Sequence, residues 1–180
     1  TGFISAYRHS FGSQQAGDVL LIGAGGVGRA VACALGELSA HCIHILERDE
    51  QRADTLCRDL NAMGIAAECV SAKQAQRELA TWQGVVNCTP IGHINHPGCP
   101  IDTTGLGAQH WVFDAVYIPA HTELLMAAHR AKAAVQPRHG VLQDAARRLA
   151  NPGAHRLCES EHLVPPPHLL PAPADVWHHR

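Results

Sequence analysis

A glycine-rich turn between an apolar strand and an amphipathic helix constrains the fold of this 180-residue chain more than any other feature. Residues 19–22 are a short, wholly apolar run, typical of a buried parallel strand. Residues 27–38 follow with apolar side chains at helical spacing. The turn between them reads G-x-G-x-x-G, and its candidate binding residues are Gly23, Ala24, Gly25, Gly26, Val27 and Gly28.

Three glycines of this turn have a physical role in a phosphate-binding loop. Gly23 permits the tight turn, Gly25 lets a diphosphate approach the backbone, and Gly28 allows the helix to pack closely on the strand. The helix N-terminus adds N–H donors and a partial positive charge. The alternative is a glycine-rich turn without a ligand. Because strand, loop and helix follow each other in register, the motif favours a dinucleotide site.

The rest of the chain alternates between predicted strands and helices. Apolar runs predict strands at residues 42–46, 66–70, 85–88 and 111–115. Helical periodicity predicts helices at residues 53–63, 72–82 and 121–132. This alternation implies βαβ units. The predicted fold is α/β: a doubly wound, mostly parallel Rossmann-like sheet with helices on both faces.

The two ends of the chain differ from this pattern. Phe3, Ala6, Tyr7 and Phe11 predict a short amphipathic helix, which either covers an edge of the sheet or is a hinge helix from an upstream domain. Residues 151–180 contain six prolines and show no period, so we predict a Pro/His-rich disordered tail. The predicted organisation is a lead-in at 1–16, a dinucleotide-binding domain at 17–150 and a tail at 151–180.

Composition limits the partners and the compartment. The net charge of -2 argues against nucleic-acid binding. No apolar stretch approaches the roughly 20 residues that cross a bilayer, and no secretion signal opens the chain, so no membrane partner is predicted. Seven cysteines without a C-x-x-C spacing are typical of a reducing compartment, and we expect a cytoplasmic protein.

Two cysteine-containing patterns do not predict chemistry. His93, His96 and Cys99 form H-x-x-H-x-x-C, but no fourth ligand is placed by spacing, so no metal site is predicted. Cys88 is at the end of a predicted strand without a base in its motif, and a packed thiol is expected there.

The end of the second strand bears on cofactor choice. A carboxylate about 20 residues after the loop usually accepts hydrogen bonds from the adenosine ribose of NAD, and Glu47 is placed for that role. Arg48 and Arg52 are candidates for binding the 2′-phosphate of NADP instead. Because the charge of Glu47 opposes a phosphate nearby, the sequence favours NAD over NADP.

Two further motifs point to one family. Residues 87–92 read N-x-T-P-x-G, and residues 114–125 read D-x-x-Y-x-P-x-x-T-x-L-L. Together with the glycine-rich loop, they resemble the cofactor domain of shikimate dehydrogenases and quinate/shikimate dehydrogenases, over residue 1 to about residue 128. We expect both motifs at the carboxyl edge of the sheet, with Asn87 and Thr89 near the nicotinamide. The remaining candidates there are Pro90, Val116 and Tyr117.

The resemblance implies a dehydrogenase that transfers hydride between a nicotinamide cofactor and a small hydroxy acid of the shikimate or quinate type. In this family the catalytic lysine and aspartate lie in an upstream domain. No catalytic residue is therefore assigned here, and substrate binding is expected only together with that domain. We predict that the isolated chain binds the dinucleotide but is inactive.

The resemblance is incomplete near the end of the chain. The family has a G-x-x-M-L-x-x-Q-A segment, whereas residues 139–146 read H-G-V-L-Q-D-A-A, which places Ala145 at the glutamine position and Gln143 two residues earlier. A non-catalytic NAD(H)-binding module or sensor is the alternative function. A methyltransferase also has a glycine-rich loop, but the two later motifs argue against it. Apolar surface left by an absent domain makes self-association a further hypothesis.

Overall fold

The computed structural model describes residues 2–136, and the predictions for residues 139–146 and 151–180 lie outside that range. One six-stranded sheet forms the centre of the domain. Its strands are β1 (Gly17–Ile22), β2 (Ala40–Leu46), β3 (Ala67–Cys69), β4 (Gly84–Asn87), β5 (Trp111–Asp114) and β6 (Ala134–Val135). All neighbouring strands pair in parallel, in the order β3-β2-β1-β4-β5-β6.

Five α-helices accompany the sheet in the described residues. They are α1 (Gly2–Phe11), α2 (Gly26–Glu37), α3 (Glu50–Ala62), α4 (Ala72–Glu78) and α5 (Glu123–Arg130). The helix predicted over residues 72–82 is shorter than expected, because the chain tightens into a 3₁₀ turn at Leu79–Thr81 after α4. The strand β6 was not predicted.

The helices cover both faces of the sheet, which confirms the doubly wound α/β fold. Val19 and Leu21 of β1 pack in one core with residues of α1, α2 and α3. Leu20 and Ile22, the alternate residues of the same strand, pack in a second core with α4 and α5. Since successive side chains of a strand point to opposite faces, one buried strand contributes to both cores.

The helix α1 packs on the first of these faces, beside β5. Tyr7 is fully buried, and its ring lies 5.1 Å from the ring of Trp111 in an edge-on arrangement. Phe3 contacts Phe113 in the same way at 5.0 Å, and the Gln136 side chain donates to the Phe3 carbonyl at 3.0 Å. The helix α1 thus covers a face of the sheet and not an edge.

Within residues 2–136, no helix combines the length and the apolar character needed to cross a bilayer. The same range contains no group of three or more His, Cys, Asp or Glu side chains suited to a metal ion.

Candidate dinucleotide-binding site

The site lies where the carboxyl ends of the central strands meet. Ile22 of β1 is in register with Leu46 of β2 on one side and with Asn87 of β4 on the other, and Asn87 is in register with Asp114 of β5. After β1 the chain adds β2 and β3 on one side of β1, and it then crosses over and adds β4, β5 and β6 on the other side. This switch point is where ligands bind in open α/β sheets.

Close packing explains two of the glycines in the loop. Gly23 has φ of 97°, in the left-handed region that disfavours other residues, and a Cβ there would lie 2.9 Å from Thr89 Cγ2. A Cβ on Gly28 would lie 1.9 Å from the carbonyl oxygen of Gly23. Any side chain at residue 28 would therefore force α2 away from the loop.

The other two glycines of the loop border open space. A Cβ on Gly25 or on Gly26 would have no atom within 4 Å apart from those of its chain neighbours and of the adjoining helix backbone. Gly25 is the N-cap of α2, in extended conformation, and no side chain caps the helix. Because the first N–H groups of a helix have no partner within it, this end of α2 presents donors and partial positive charge to a ligand. The open space and the donors fit a diphosphate.

Glu47 joins the end of β2 to the glycine-rich loop. Its Oε2 accepts a hydrogen bond from the Ala24 backbone N–H at 2.8 Å. Its Oε1 accepts from the N–H groups of Arg48 and Asp49, at 2.8 and 3.2 Å. Burial by itself raises the pKa of this carboxyl, but the three backbone donors and the nearby Arg52 charge outweigh burial, and the pKa of Glu47 is lowered. Glu47 is therefore ionised at neutral pH.

A cleft of about 360 Å³ runs from the glycine-rich loop to the ends of β2 and β4. Seven of the predicted site residues line it: Gly23, Gly25, Glu47, Arg48, Arg52, Thr89 and Pro90. The other seven do not: Ala24, Gly26, Val27, Gly28, Asn87, Val116 and Tyr117. Of the latter, Gly28 supports the loop from behind, and Ala24 contributes its N–H to Glu47.

The cleft also has walls that the sequence did not indicate. Leu46, Ala72, Cys88, Ile91 and Pro100 line it with Ile22. Ala72 is the first residue of α4, close after β3, so the strand-end rule applied to β3 would have suggested it. No motif points to Pro100, which lies in the long irregular segment between β4 and β5.

The two arginines of the cleft, Arg48 and Arg52, are both exposed and lie where β2 leads into α3. Arg52 is in the first turn of α3, where its N–H bonds to the N-cap residue Asp49 at 3.2 Å. Its guanidinium lies 3.7 Å from the Asp49 carboxylate, and both side chains are half exposed. An exposed pair of this kind is weak, so Arg52 can leave Asp49 for a ligand at little cost.

The sequence predicted Asn87 near the nicotinamide, but the Asn87 side chain does not line the cleft. It is fully buried, and its Nδ2 donates to Asp114 Oδ1 at 2.9 Å and to the Ile91 carbonyl at 3.0 Å. Its Oδ1 accepts from the N–H and the hydroxyl of Thr89, at 3.0 and 2.7 Å. Since both ends of the amide are bonded inward, Asn87 shapes the loop after β4 instead of offering its amide to a nicotinamide.

The loop after β5 places Val116 and Tyr117 differently. Val116 is buried, and its N–H donates to Asp114 Oδ1 at 2.9 Å. Tyr117 is 55% exposed, and Ile94 and Ile118 are also exposed apolar side chains. The Ile94 N–H donates to the Ile118 carbonyl at 3.2 Å, which ties this loop to the loop after β4. Tyr117 thus lies outside the residues that line the cleft, on a loop bonded to the loop after β4.

Strand order, glycine-rich loop and the acid after β2 define the class: a Rossmann-type domain of the kind that binds dinucleotides. The family is given by comparison with known proteins. Residues 6–92 match the sequence model of the family described as shikimate/quinate 5-dehydrogenase. This chain belongs to the shikimate/quinate 5-dehydrogenase family.

Individual relatives agree with this assignment. The quinate/shikimate dehydrogenase (NAD(+)) of Corynebacterium efficiens is 37% identical over 127 residues, which are 69% of this chain and 45% of that protein. The shikimate dehydrogenase (NADP(+)) of Pseudarthrobacter chlorophenolicus is 35% identical over 136 residues, 73% of this chain and 45% of that protein. The chain thus spans about half the length of the curated relatives it matches.

A solved structure shares the fold. Quinate dehydrogenase from Corynebacterium glutamicum in complex with NAD superposes with a TM-score of 0.74 at 34% identity, and the match covers 84% of this chain and 55% of that one.

Proposed function

We propose that this chain is the nicotinamide-cofactor-binding part of a dehydrogenase acting on a hydroxy acid of the shikimate or quinate type, with NAD preferred over NADP. The observation that carries the preference is the Glu47 carboxylate. It is bonded to the loop through Ala24 and ionised at the adenosine end of the cleft. A fixed negative charge there attracts ribose hydroxyl donors and repels a 2′-phosphate.

Each group of the cleft has a part in this function. The N-terminus of α2 binds the diphosphate, with Gly25 and Gly26 leaving room for it. Glu47 accepts from the ribose, and Thr89 and Pro90 form the wall toward the nicotinamide. When bound, the nicotinamide supplies the hydride chemistry. The chain's own residues orient that ring.

The substrate assignment rests on the relatives named above. Tyr117 supports it, since an exposed phenol is available to a hydroxylated ligand. Moving a proton of the substrate hydroxyl also requires an acid–base group. By the family resemblance this group belongs to another domain, and we propose that the 180-residue chain alone binds the dinucleotide without turnover.

Use of NADP is the competing possibility for the same cleft. It is favoured by the exposed guanidinium groups of Arg48 and Arg52, which line the adenosine end. The relatives include proteins named for each cofactor.

Calorimetric titration of the purified chain with NADH and with NADPH tests the proposal. We expect NADH to bind at least tenfold more tightly, which is about 1.4 kcal/mol. Tighter binding of NADPH would transfer the specificity role to Arg48 and Arg52. Binding of neither cofactor would overturn the proposed cofactor function. S-adenosylmethionine is the control ligand, and we expect it not to bind.

A further inference from the structure

Asp114 at the end of β5 is a buried carboxylate with no role in the cleft described above. It is fully inaccessible to solvent. Its Oδ1 accepts from Asn87 Nδ2 and from the Val116 N–H, each at 2.9 Å, and its Oδ2 accepts from the Thr122 hydroxyl at 2.5 Å. A buried carboxylate is costly without such donors, and hydrogen bonds to a charged acceptor are stronger than neutral ones.

These bonds reach three separate pieces of the chain. Through Asn87, Asp114 acts on the loop after β4, because Asn87 in turn bonds Thr89 and the Ile91 carbonyl. Through the Val116 N–H it holds the first turn of the loop after β5. Through Thr122, whose hydroxyl also accepts from the Leu125 N–H at 3.3 Å, it holds the start of α5.

Two of these pieces border the nicotinamide side of the proposed site. Thr89 and Ile91 line the cleft, and the loop of Val116 carries the exposed Tyr117. The adenosine side is built from other residues, Glu47, Arg48 and Arg52, which make no contact with Asp114 among the bonds described. A disturbance at Asp114 therefore acts on one half of the dinucleotide site.

We propose that Asp114 is a positioning residue that sets the loops after β4 and β5 for the nicotinamide half of the cofactor. It acts through Asn87 and the Val116 backbone and does not itself contact the ligand. This inference rests on the proposed cofactor function. A residue with a purely structural role would affect both halves of the site equally, whereas we expect Asp114 to affect the nicotinamide half alone.

The test compares NADH with ADP-ribose, which retains the adenosine and diphosphate but lacks the nicotinamide. For Asp114→Ala we expect NADH affinity to fall about tenfold and the enhancement of nicotinamide fluorescence on binding to be lost. ADP-ribose affinity should stay within about twofold. Asp114→Asn should restore most of the NADH binding and fluorescence, since its remaining oxygen still accepts from Asn87 and Val116.

Two further variants distinguish a local effect on the site from misfolding of the domain. Thr122→Val removes the partner of Oδ2 and the N-cap bond to the Leu125 N–H, but leaves the bonds of Oδ1, and we expect a smaller loss confined to NADH. Asp59→Ala removes an exposed carboxylate that is paired with Arg29, and both ligands should bind as in the wild type. Equal loss of NADH and ADP-ribose in the folded Thr122 or Asp114 variants, or no loss of either, would overturn the inference. Failure of the wild-type chain to bind either ligand would instead overturn the proposed function.

Discussion

The Glu47 carboxylate accepts the backbone N–H of Ala24 at 2.8 Å, across 23 residues of sequence. This bond ties the carboxyl end of β2 to the glycine-rich loop after β1. The residue proposed to select the cofactor is thus bonded directly to the loop proposed to bind its diphosphate, which links the positions of the two parts of the site.

Substitution of Glu47 should change the choice of cofactor. In Glu47→Gln the shape is kept and the charge is lost, so we expect NADH affinity to fall about tenfold and the preference for NADH over NADPH to shrink. Parallel calorimetric titrations with the two cofactors measure this. Glu50→Gln, an exposed change three residues further along the chain at the start of α3, is the matched control and should leave both affinities unchanged. An unaltered NADH:NADPH ratio in Glu47→Gln would contradict the assigned role.

Stability at acid pH should depend on the same carboxyl. Its folded-state pKa is lowered from 4.5, because the backbone donors and Arg52 together outweigh burial. A lowered folded pKa contributes stability above the unfolded value, and that contribution disappears as the pH falls through the folded value. The denaturation midpoint of the wild type should therefore exceed that of Glu47→Gln near neutral pH, and the difference should narrow as the pH falls below 4.5. Urea titrations over this range, on both proteins, measure it.

Much of the fold follows from local patterns in the sequence. The strands β1, β2, β4 and β5 are apolar runs, and the amphipathic period of α2 and α3 shows which side is buried. The two-residue strand β6 could not be found this way, since it belongs to an apolar stretch of only three residues, 133–135, between Lys132 and Gln136. It exists because the edge of β5 offers backbone partners, which is a property of the assembled sheet.

The site divides along the same line. Gly23, Gly28 and Glu47 could be singled out from the sequence because their positions follow from spacing relative to β1 and β2. The inward turn of Asn87 depends on Asp114, which lies 27 residues further along the chain and reaches it only through the register of β4 and β5. A motif shows which residue type ends a strand, but the neighbouring strand determines which hydrogen-bond partners its side chain finds.

Two alanine substitutions in the glycine-rich loop should separate ligand binding from folding. Gly25 has φ of -70° and open space at its Cβ position, so Gly25→Ala should fold normally. Its methyl group would occupy the space of the diphosphate, and we expect NADH binding to be lost. In Gly28→Ala the methyl group meets the Gly23 carbonyl, so the free energy of unfolding should fall by roughly 1–3 kcal/mol. The thermal midpoint should fall with it. Thermal unfolding and calorimetry on both variants measure the two effects. Equal destabilisation of both would contradict this division.

Thiol labelling should locate the cleft independently of any substitution. Cys88 lines the cleft, and burial together with the nearby Asp114 charge raises its thiol pKa, so little thiolate is present at neutral pH. Cys69 is exposed at the end of β3, outside the residues that line the cleft. We therefore expect iodoacetamide to modify Cys69 faster than Cys88 at neutral pH, as followed by peptide mass spectrometry. Raising the pH should accelerate the reaction of Cys88. Saturating NADH should slow the labelling of Cys88 and leave that of Cys69 unchanged, because a dinucleotide in the cleft covers only Cys88. Slower labelling of both cysteines, or of neither, would contradict binding of NADH in this cleft.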